Sequence, residues 1–116
     1  MQFLHFGVPT KDEKKWAGMI ADLKVHFSDP DSDAFGIEWL KFDAGSPMHE
    51  KIQTQSHVAF MVDNLDAAIQ GKTILCKPFS PAPDFRFAFI EHEGAVIELC
   101  ESKPVKTCGC SCGCGG

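Results

Sequence analysis

The sequence predicts an α+β fold made of two tandem βαβββ units. Each unit begins with a strand that carries one histidine, His5 in the first unit and His57 in the second. Each unit ends with a strand that carries one glutamate among apolar residues, Glu38 in the first and Glu98 in the second. The elements between these strands follow the same order in both units, and this shared order indicates a duplication.

Alternation and capping residues predict the elements of the first unit. Apolar side chains alternate over residues 2–8, which predicts a strand. Thr10 and Glu13 form a capping box, and apolar residues recur at helical spacing behind it, so we expect a helix from Thr10 to about Leu23. A turn-rich acidic loop is expected at 28–33. The remaining predicted strands of this unit lie at 24–27 and 35–42.

The second unit shows the same signals in the same order. Residues 48–55 are polar and are predicted to connect the units with at most one helical turn. A helix is expected from about Leu65 to Gln70, with a glycine as its C-cap. A proline-rich loop is predicted at 78–84, and the Gly-containing turn at 92–94 predicts a hairpin. The predicted strands of this unit lie at 56–62, 73–76, 85–91 and 95–101.

Alternation within the strands suggests where the polar side chains point. His57 shares a strand face with Ala59 and Met61, and Glu98 shares one with Cys100. A charged side chain in the middle of an apolar strand needs a partner if it is buried. Neutral imidazole and carboxylate are ligands that Zn, Ni, Fe, Mn and Co ions accept. The sequence therefore predicts a divalent metal site, the ion identity being open, with the ligands His5, Glu38, His57 and Glu98. Hydrogen-bonded core histidines and a solvated edge glutamate are the alternatives.

Length, charge and hydropathy limit the classes of function. The chain of 116 residues is expected to form one domain over about residues 1–103, with its units at about 1–47 and 55–102. A formal net charge of −5 and a single arginine argue against a nucleic-acid partner, which requires clustered basic residues. No stretch approaches about 20 apolar residues, which argues against a membrane span. Because no basic leader precedes the first strand, the sequence predicts a cytoplasmic protein.

The cysteines are concentrated in a Gly-rich tail over residues 104–116. Two of the six cysteines lie in the body of the chain, and the other four alternate near its end. Alternating thiolates can reach one soft ion such as Cu(I), Zn or Ni, so the tail is a candidate soft-metal site. The alternative is a thiol-rich tail without a metal. The cysteines concerned are Cys108, Cys110, Cys112 and Cys114.

The residues above resemble the vicinal oxygen chelate superfamily, which includes glyoxalase I, bleomycin resistance proteins and extradiol dioxygenases. The resemblance covers about residues 2–102 and is carried by Leu4-His5-Phe6, by Ser56-His57-Val58-Ala59-Phe60 and by Gly94-Ala95-Val96-Ile97-Glu98-Leu99. It implies a glyoxalase-like curved mixed sheet that forms a cup around a divalent metal ion. It implies the same four ligands, His5, Glu38, His57 and Glu98. It also implies a homodimer, because the modules of two chains often pair in this family.

The His-Glu-His-Glu set looks most like glyoxalase I, so the resemblance implies a metal-dependent isomerase or lyase. Such an enzyme would transfer a proton next to a metal-chelated carbonyl of a small-molecule substrate. Glu98 is the first candidate for the catalytic carboxylate and Glu38 the second. The alternatives are a non-catalytic small-molecule binding or resistance protein on the same fold, and a metal-handling protein that acts through its cysteine tail.

Two further residues are candidates for substrate contact. Arg86 alternates with Phe85 and Phe87, and it is either a clamp for a carboxylate or phosphate inside the cup or a surface residue. Met61 shares the face of His57 and is either a pocket residue or a core residue. The sequence shows no recognisable set of basic residues for the carboxylates of glutathione.

Overall fold

The computed structural model describes residues 1–102, so the predicted tail site at Cys108, Cys110, Cys112 and Cys114 lies outside the described residues. The described chain is mostly β-structure. Its strands are β1 (Gln2–Pro9), β2 (Gly18–Ile20), β3 (Val25–Phe27), β4 (Ile37–Phe42), β5 (His57–Met61), β6 (Thr73–Ala82), β7 (Phe85–His92) and β8 (Ala95–Ser102). Its α-helices are α1 (Glu50–Thr54) and α2 (Leu65–Ala68), and 3-10 turns lie at Ala21–Leu23 and Pro30–Ser32.

The eight strands form one mixed sheet in the order β2-β3-β4-β1-β5-β8-β7-β6. Within each half of the chain, the first strand pairs in parallel with the last, β1 with β4 and β5 with β8. The two halves meet where β1 and β5 pair antiparallel at the centre of the sheet. The four central strands are therefore the four that carry the predicted metal ligands.

The sheet is curved and nearly closed. Its two edge strands, β2 and β6, are far apart in the strand order, yet Ile20 of β2 and Pro81 of β6 line the same cavity. The larger apolar core lies on the inside of this curve and draws on both halves, for example Val25, Leu40 and Phe87. A smaller core lies on the outer face, where Leu65 of α2 packs against β7 and β8.

The predicted helix from Thr10 to Leu23 is wrong. Residues 11–17 have no regular structure, and the segment that follows forms β2 and a 3-10 turn. The capping box does not form, because Glu13 instead binds Trp16 and Lys41, whose amine it reaches across 28 residues of sequence. Over Gly18–Ile20, pairing of β2 with β3 supplies backbone hydrogen bonds in place of those of a helix, so tertiary contacts override the local helical spacing. The first half therefore lacks the helix of the predicted βαβββ unit.

The predicted loop at 78–84 is also wrong over most of its length. β6 continues to Ala82 and pairs with β7 through irregular registers, such as Phe79 with Phe87. Prolines are tolerated here because β6 is the edge strand and its outer side has no strand partner in the sheet order.

The other predicted elements are confirmed, with shifted ends. The connector holds the single helical turn α1, and α2 begins after Asn64, whose side chain accepts a hydrogen bond from the backbone N–H of Ala67. The β7–β8 hairpin forms with His92 opposite Ala95. None of the helices in residues 1–102 has the length and apolar character needed to cross a membrane.

Candidate metal centre

The four predicted ligands lie on the four central strands and face the inside of the curved sheet. Glu38 on β4 and His57 on β5 are both cross-strand partners of Gly7 on β1. His5 on β1 and Glu98 on β8 are both cross-strand partners of Ala59 on β5. Cross-strand partners point to the same side of a sheet, so each pair of ligands flanks one very small residue. Gly7 and Ala59 leave the space in which the four side chains meet.

The side chains converge closely enough to hold one ion. One ligand atom from each of His5, Glu38, His57 and Glu98 lies within 4.8 Å of the others. Nitrogen and oxygen ligands sit about 2.1 Å from a divalent transition metal, which separates them from one another by about 3.0 to about 4.2 Å. The observed spacing therefore needs only a small contraction to match that of a coordination shell.

Glu98 is at the centre of the contacts within this group. Its Oε1 atom lies 3.0 Å from Nε2 of His57 and 3.6 Å from Nε2 of His5. Burial favours the neutral carboxyl, but hydrogen bonds and the charges of His5 and His57 outweigh it and lower the pKa of Glu98 to about 2. Glu98 is therefore an anion at neutral pH, as a metal ligand must be.

Glu38 has fewer contacts. Its Oε1 atom lies 3.2 Å from Nε2 of His5, and its side chain is 18% exposed compared with 10% for Glu98. Burial lowers the pKa of His5, but the nearby carboxylates of Glu38 and Glu98 more than reverse this effect and raise it to about 9. His5 is therefore protonated at neutral pH in the metal-free protein, and its positive charge lies beside the two carboxylates.

One buried imidazole nitrogen provides a test of whether the group fits a metal ion. Nε2 of His5 is buried and makes no hydrogen bond of good geometry, although it lies 3.2 Å from Oε1 of Glu38 and 3.6 Å from Oε1 of Glu98. In the neutral imidazole, the lone pair of this nitrogen can bind an ion held between the same two carboxylates. In His57 the nitrogen that faces Glu98 is also Nε2. The donor set of two imidazoles and two carboxylates therefore fits a divalent transition metal.

The four side chains line a cavity of about 440 Å³ inside the curved sheet. This volume is within the range of small-molecule sites. Apart from the four ligands and Cys100, its lining is made of apolar residues: Leu4, Ile20, Leu23, Val25, Phe27, Leu40, Phe42, Met48, Pro81, Ala82, Phe85, Phe87 and Phe89. The arrangement can hold a small molecule with a polar end at the ligands and an apolar body in the cavity.

Arg86 does not face this cavity, which corrects its predicted role as a clamp inside the cup. Phe85 and Phe87 on β7 line the cavity, so Arg86 between them points to the other face of the sheet. There its Nε atom donates to Oε1 of Glu101 at 3.0 Å, and its guanidinium also binds Asp66 at 3.2 Å. Of the two alternatives for Arg86, a clamp inside the cup or a surface residue, the geometry supports the surface residue.

Met61, a predicted candidate for substrate contact, lies outside the cavity lining, whereas Cys100 belongs to it. Met61 packs against the inner core but is not part of the cavity lining, so its prediction as a substrate contact is not supported by the geometry. Cys100 lines the cavity on the face of Glu98. Burial and the neighbouring Glu98 carboxylate raise the pKa of the Cys100 thiol, so it is protonated.

Sequence reasoning missed Gly7 and Ala59, the two small residues that make room for the four side chains. Gly7 stands in the middle of β1, two residues after His5, and a glycine inside a strand often marks a close approach by another group. That signal was present in the sequence.

Comparison of the chain with models of protein families and with curated proteins found no match.

Proposed function

We propose that this protein is a metal-dependent isomerase or lyase of the glyoxalase type. It would transfer a proton next to the carbonyl group of a small molecule bound in the cavity. We further propose that the two halves of the sheet are the paired modules of the vicinal oxygen chelate fold, the first of which lacks its helix. The single observation that supports this function best is the convergence of two histidines and two glutamates from four strands on an apolar cavity.

The four side chains would hold the ion and position it against the substrate. A bound divalent ion supplies positive charge that stabilises negative charge on a carbonyl oxygen. His5 and His57 are rigidly placed because they stand on central strands with little freedom. The apolar walls exclude water from the reacting carbons, which strengthens the electrostatic interactions inside the cavity.

The geometry favours Glu38 over Glu98 as the carboxylate that moves the proton. Glu98 is buried and holds contacts with both histidines through one oxygen, so it is suited to staying in place. Both glutamates line the cavity, but Glu38 contacts only His5 and its side chain is more exposed, so its carboxylate is freer to meet a substrate. This reverses the order of the two candidates that the sequence suggested.

The metal site is tested with a full-length variant in which the tail cysteines are replaced by serine (Cys108, Cys110, Cys112 and Cys114). After loading with Zn²⁺, Ni²⁺ or Co²⁺ and removal of free ion, elemental analysis should find one ion per chain. His57→Ala in the same background should lose that ion while its circular dichroism spectrum is retained. A serine variant that holds no divalent ion after reconstitution would show that the proposed function is wrong.

The proton transfer is tested by exchange of the substrate proton with solvent deuterium. The loaded protein is assayed with hemithioacetals and with α-hydroxy ketones, and deuterium incorporation is followed by NMR. Glu38→Gln should keep the ion and lose about 10²- to 10⁴-fold in exchange rate, the range typical of general acid–base catalysis. Glu98→Gln should lose both the ion and the exchange. Exchange that persists in Glu38→Gln would assign the proton to another group.

A non-catalytic binding protein on the same fold is the second candidate, and the size and apolar lining of the cavity favour it. Binding of a ligand by the loaded protein without any exchange would select this function. The structure contains one chain, so the predicted homodimer stays a prediction.

A further inference from the structure

We propose that the cavity selects ligands with an uncharged apolar body and excludes ligands that carry a carboxylate or phosphate on that body. The inference rests on the proposed function, which assigns the polar end of the ligand to the four-residue site. It adds the chemical character of the rest of the ligand, the part that lies away from the four-residue site. The sequence left this open, because Arg86 was a candidate clamp for an anionic group.

The part of the cavity wall that β7 forms is aromatic. Phe85, Phe87 and Phe89 alternate along β7, and all three line the cavity. The ring of Phe89 stands perpendicular to the imidazole of His57, with the ring centroids 4.9 Å apart, so the aromatic wall begins directly at the ligand site. Phe27 and Ile20 also line the cavity, from β3 and β2. An apolar body that extends from the site therefore meets apolar surface from both halves of the chain.

Apart from the two histidines of the ligand site, the cavity lining contains no basic side chain among the described residues. No lysine or arginine of residues 1–102 lines it, and its ionisable side chains are the four ligands and Cys100. Arg86 is held on the opposite face by Glu101 and Asp66. The lining thus offers no cation with which an anionic group on the ligand body could pair.

The balance of charge makes such an anionic group costly. The carboxylates of Glu38 and Glu98 carry two formal negative charges, which one divalent ion cancels. A further carboxylate on the ligand body would be an unpaired charge in an apolar cavity, and burial of an unpaired charge is strongly unfavourable. A neutral aryl or alkyl group in the same place gains free energy from the apolar area that it buries.

The experiment compares three α-hydroxy ketones on the full chain loaded with excess Zn²⁺. 2-Hydroxyacetophenone has a neutral phenyl body, its 4-carboxy derivative carries an anion on the same body, and hydroxyacetone lacks the apolar body. Dissociation constants are measured by calorimetric titration, which does not depend on catalysis. We expect 2-hydroxyacetophenone to bind about tenfold or more tightly than each of the other two.

A charge placed in the wall should change this preference. Phe85→Lys and Ala82→Lys each introduce an amine at a half-buried lining position, and each should tighten binding of the 4-carboxy compound by about tenfold. Two positions are used so that a variant that fails to fold does not decide the result. Phe35→Lys is the matched control, because Phe35 is 84% exposed and not part of the lining. It should leave all three constants unchanged.

Equal or tighter binding of the 4-carboxy compound by the unmodified chain would overturn the inference, and so would equal binding of hydroxyacetone. Failure of all three compounds to bind would overturn it as well. The outcome for the proposed function is separate. If 2-hydroxyacetophenone binds as expected but exchanges no proton, the ligand class holds and the enzymatic function fails. If only the 4-carboxy compound binds and exchanges, the ligand class fails and the enzymatic function holds.

Discussion

The imidazole of His57 lies against the backbone of Gly7, its cross-strand partner. A β-carbon built at position 7 would stand 2.1 Å from Cε1 of His57, far closer than two such atoms approach in proteins. The ring of His57 occupies the volume that any side chain at position 7 would need. His57 is also buried and 3.0 Å from Glu98, so a movement of its ring away from position 7 would disturb this contact. Glycine at position 7 is therefore a requirement of the candidate metal centre.

Substitution of Gly7 by alanine should displace His57 and weaken metal binding. We expect a loss of roughly 10- to 100-fold in affinity for Zn²⁺, the range found when residues that orient a ligand are changed. The affinity is measured by competition with a chelator of known strength, in the variant without tail cysteines. The control is Val8→Ile, which adds one methyl group to the next residue of the same strand. An affinity unchanged in Gly7→Ala would contradict the assignment of His57 as a ligand.

The metal-free protein should lose stability on both sides of a neutral to mildly acidic range. His5 has a pKa raised from 6.5 to about 9, so its contribution is complete below pH 6.5 and is lost as the pH rises through about 9. Glu98 has a pKa lowered from 4.5 to about 2, so its contribution is complete above pH 4.5 and is lost as the pH falls through about 2. Stability should therefore be greatest between these ranges, at about pH 4.5 to 6.5.

The loss of stability at alkaline pH is the easier of the two effects to measure. The shift of the His5 pKa corresponds to roughly 3 kcal/mol at most in the free energy of unfolding. Urea denaturation of the metal-free protein at pH 6 and at pH 9 measures it. His5→Gln should flatten the pH dependence over this interval, and the exposed His92→Gln should not. A wild-type protein equally stable at both pH values would contradict the interpretation.

Replacement of Arg86 by alanine should destabilise the fold without affecting the cavity. The substitution removes a hydrogen-bonded cation from Glu101, a carboxylate that is 5% exposed, and we expect a cost of about 1 to 2 kcal/mol. Because Arg86 lies on the outer face, the affinity for 2-hydroxyacetophenone should stay the same. Arg86→Lys keeps the charge but not the guanidinium fork, and it should recover part of the stability. A loss of ligand affinity in both variants would restore Arg86 to the site.

Replacement of Leu65 by alanine should separate the outer core from the metal centre. Leu65 of α2 has no exposed surface and packs with Ala88, Ile90 and Leu99 on the outer face. Its truncation should cost about 2 to 5 kcal/mol in the free energy of unfolding, measured by urea denaturation. The folded variant should bind one Zn²⁺ with unchanged affinity. A parallel loss of metal would show that the two faces of the sheet are coupled.

Most strands and all four members of the candidate centre were predictable from the sequence. A strand has a period of two residues, so a short segment such as the one around His57 is enough to show which side chains share a face. The repeated order of elements singled out one histidine strand and one glutamate strand in each half, and the structure showed that the two strands of each half pair in parallel. His5, Glu38, His57 and Glu98 were therefore found without knowledge of the strand order.

Other features could not be read locally. Thr10 and Glu13 form a valid helix-start pattern, but Glu13 binds Lys41 from β4, and pairing of the following segment with β3 replaces the helix. Alternation placed Arg86 on one face of β7 and Phe85 and Phe87 on the other, but it did not show which of the two faces lies inside the curved sheet.

The sequence by itself predicted most of the strands and the identity of the four candidate ligands, because these depend on local periodicity. The tertiary structure alone decided how closely those ligands approach, that Gly7 and Ala59 leave room for them, and that the cavity around them is apolar and free of basic side chains in the described chain. These properties depend on strand order, register and curvature, which bring together residues as distant in sequence as His5 and Glu98. No local pattern encodes the sum of those long-range contacts.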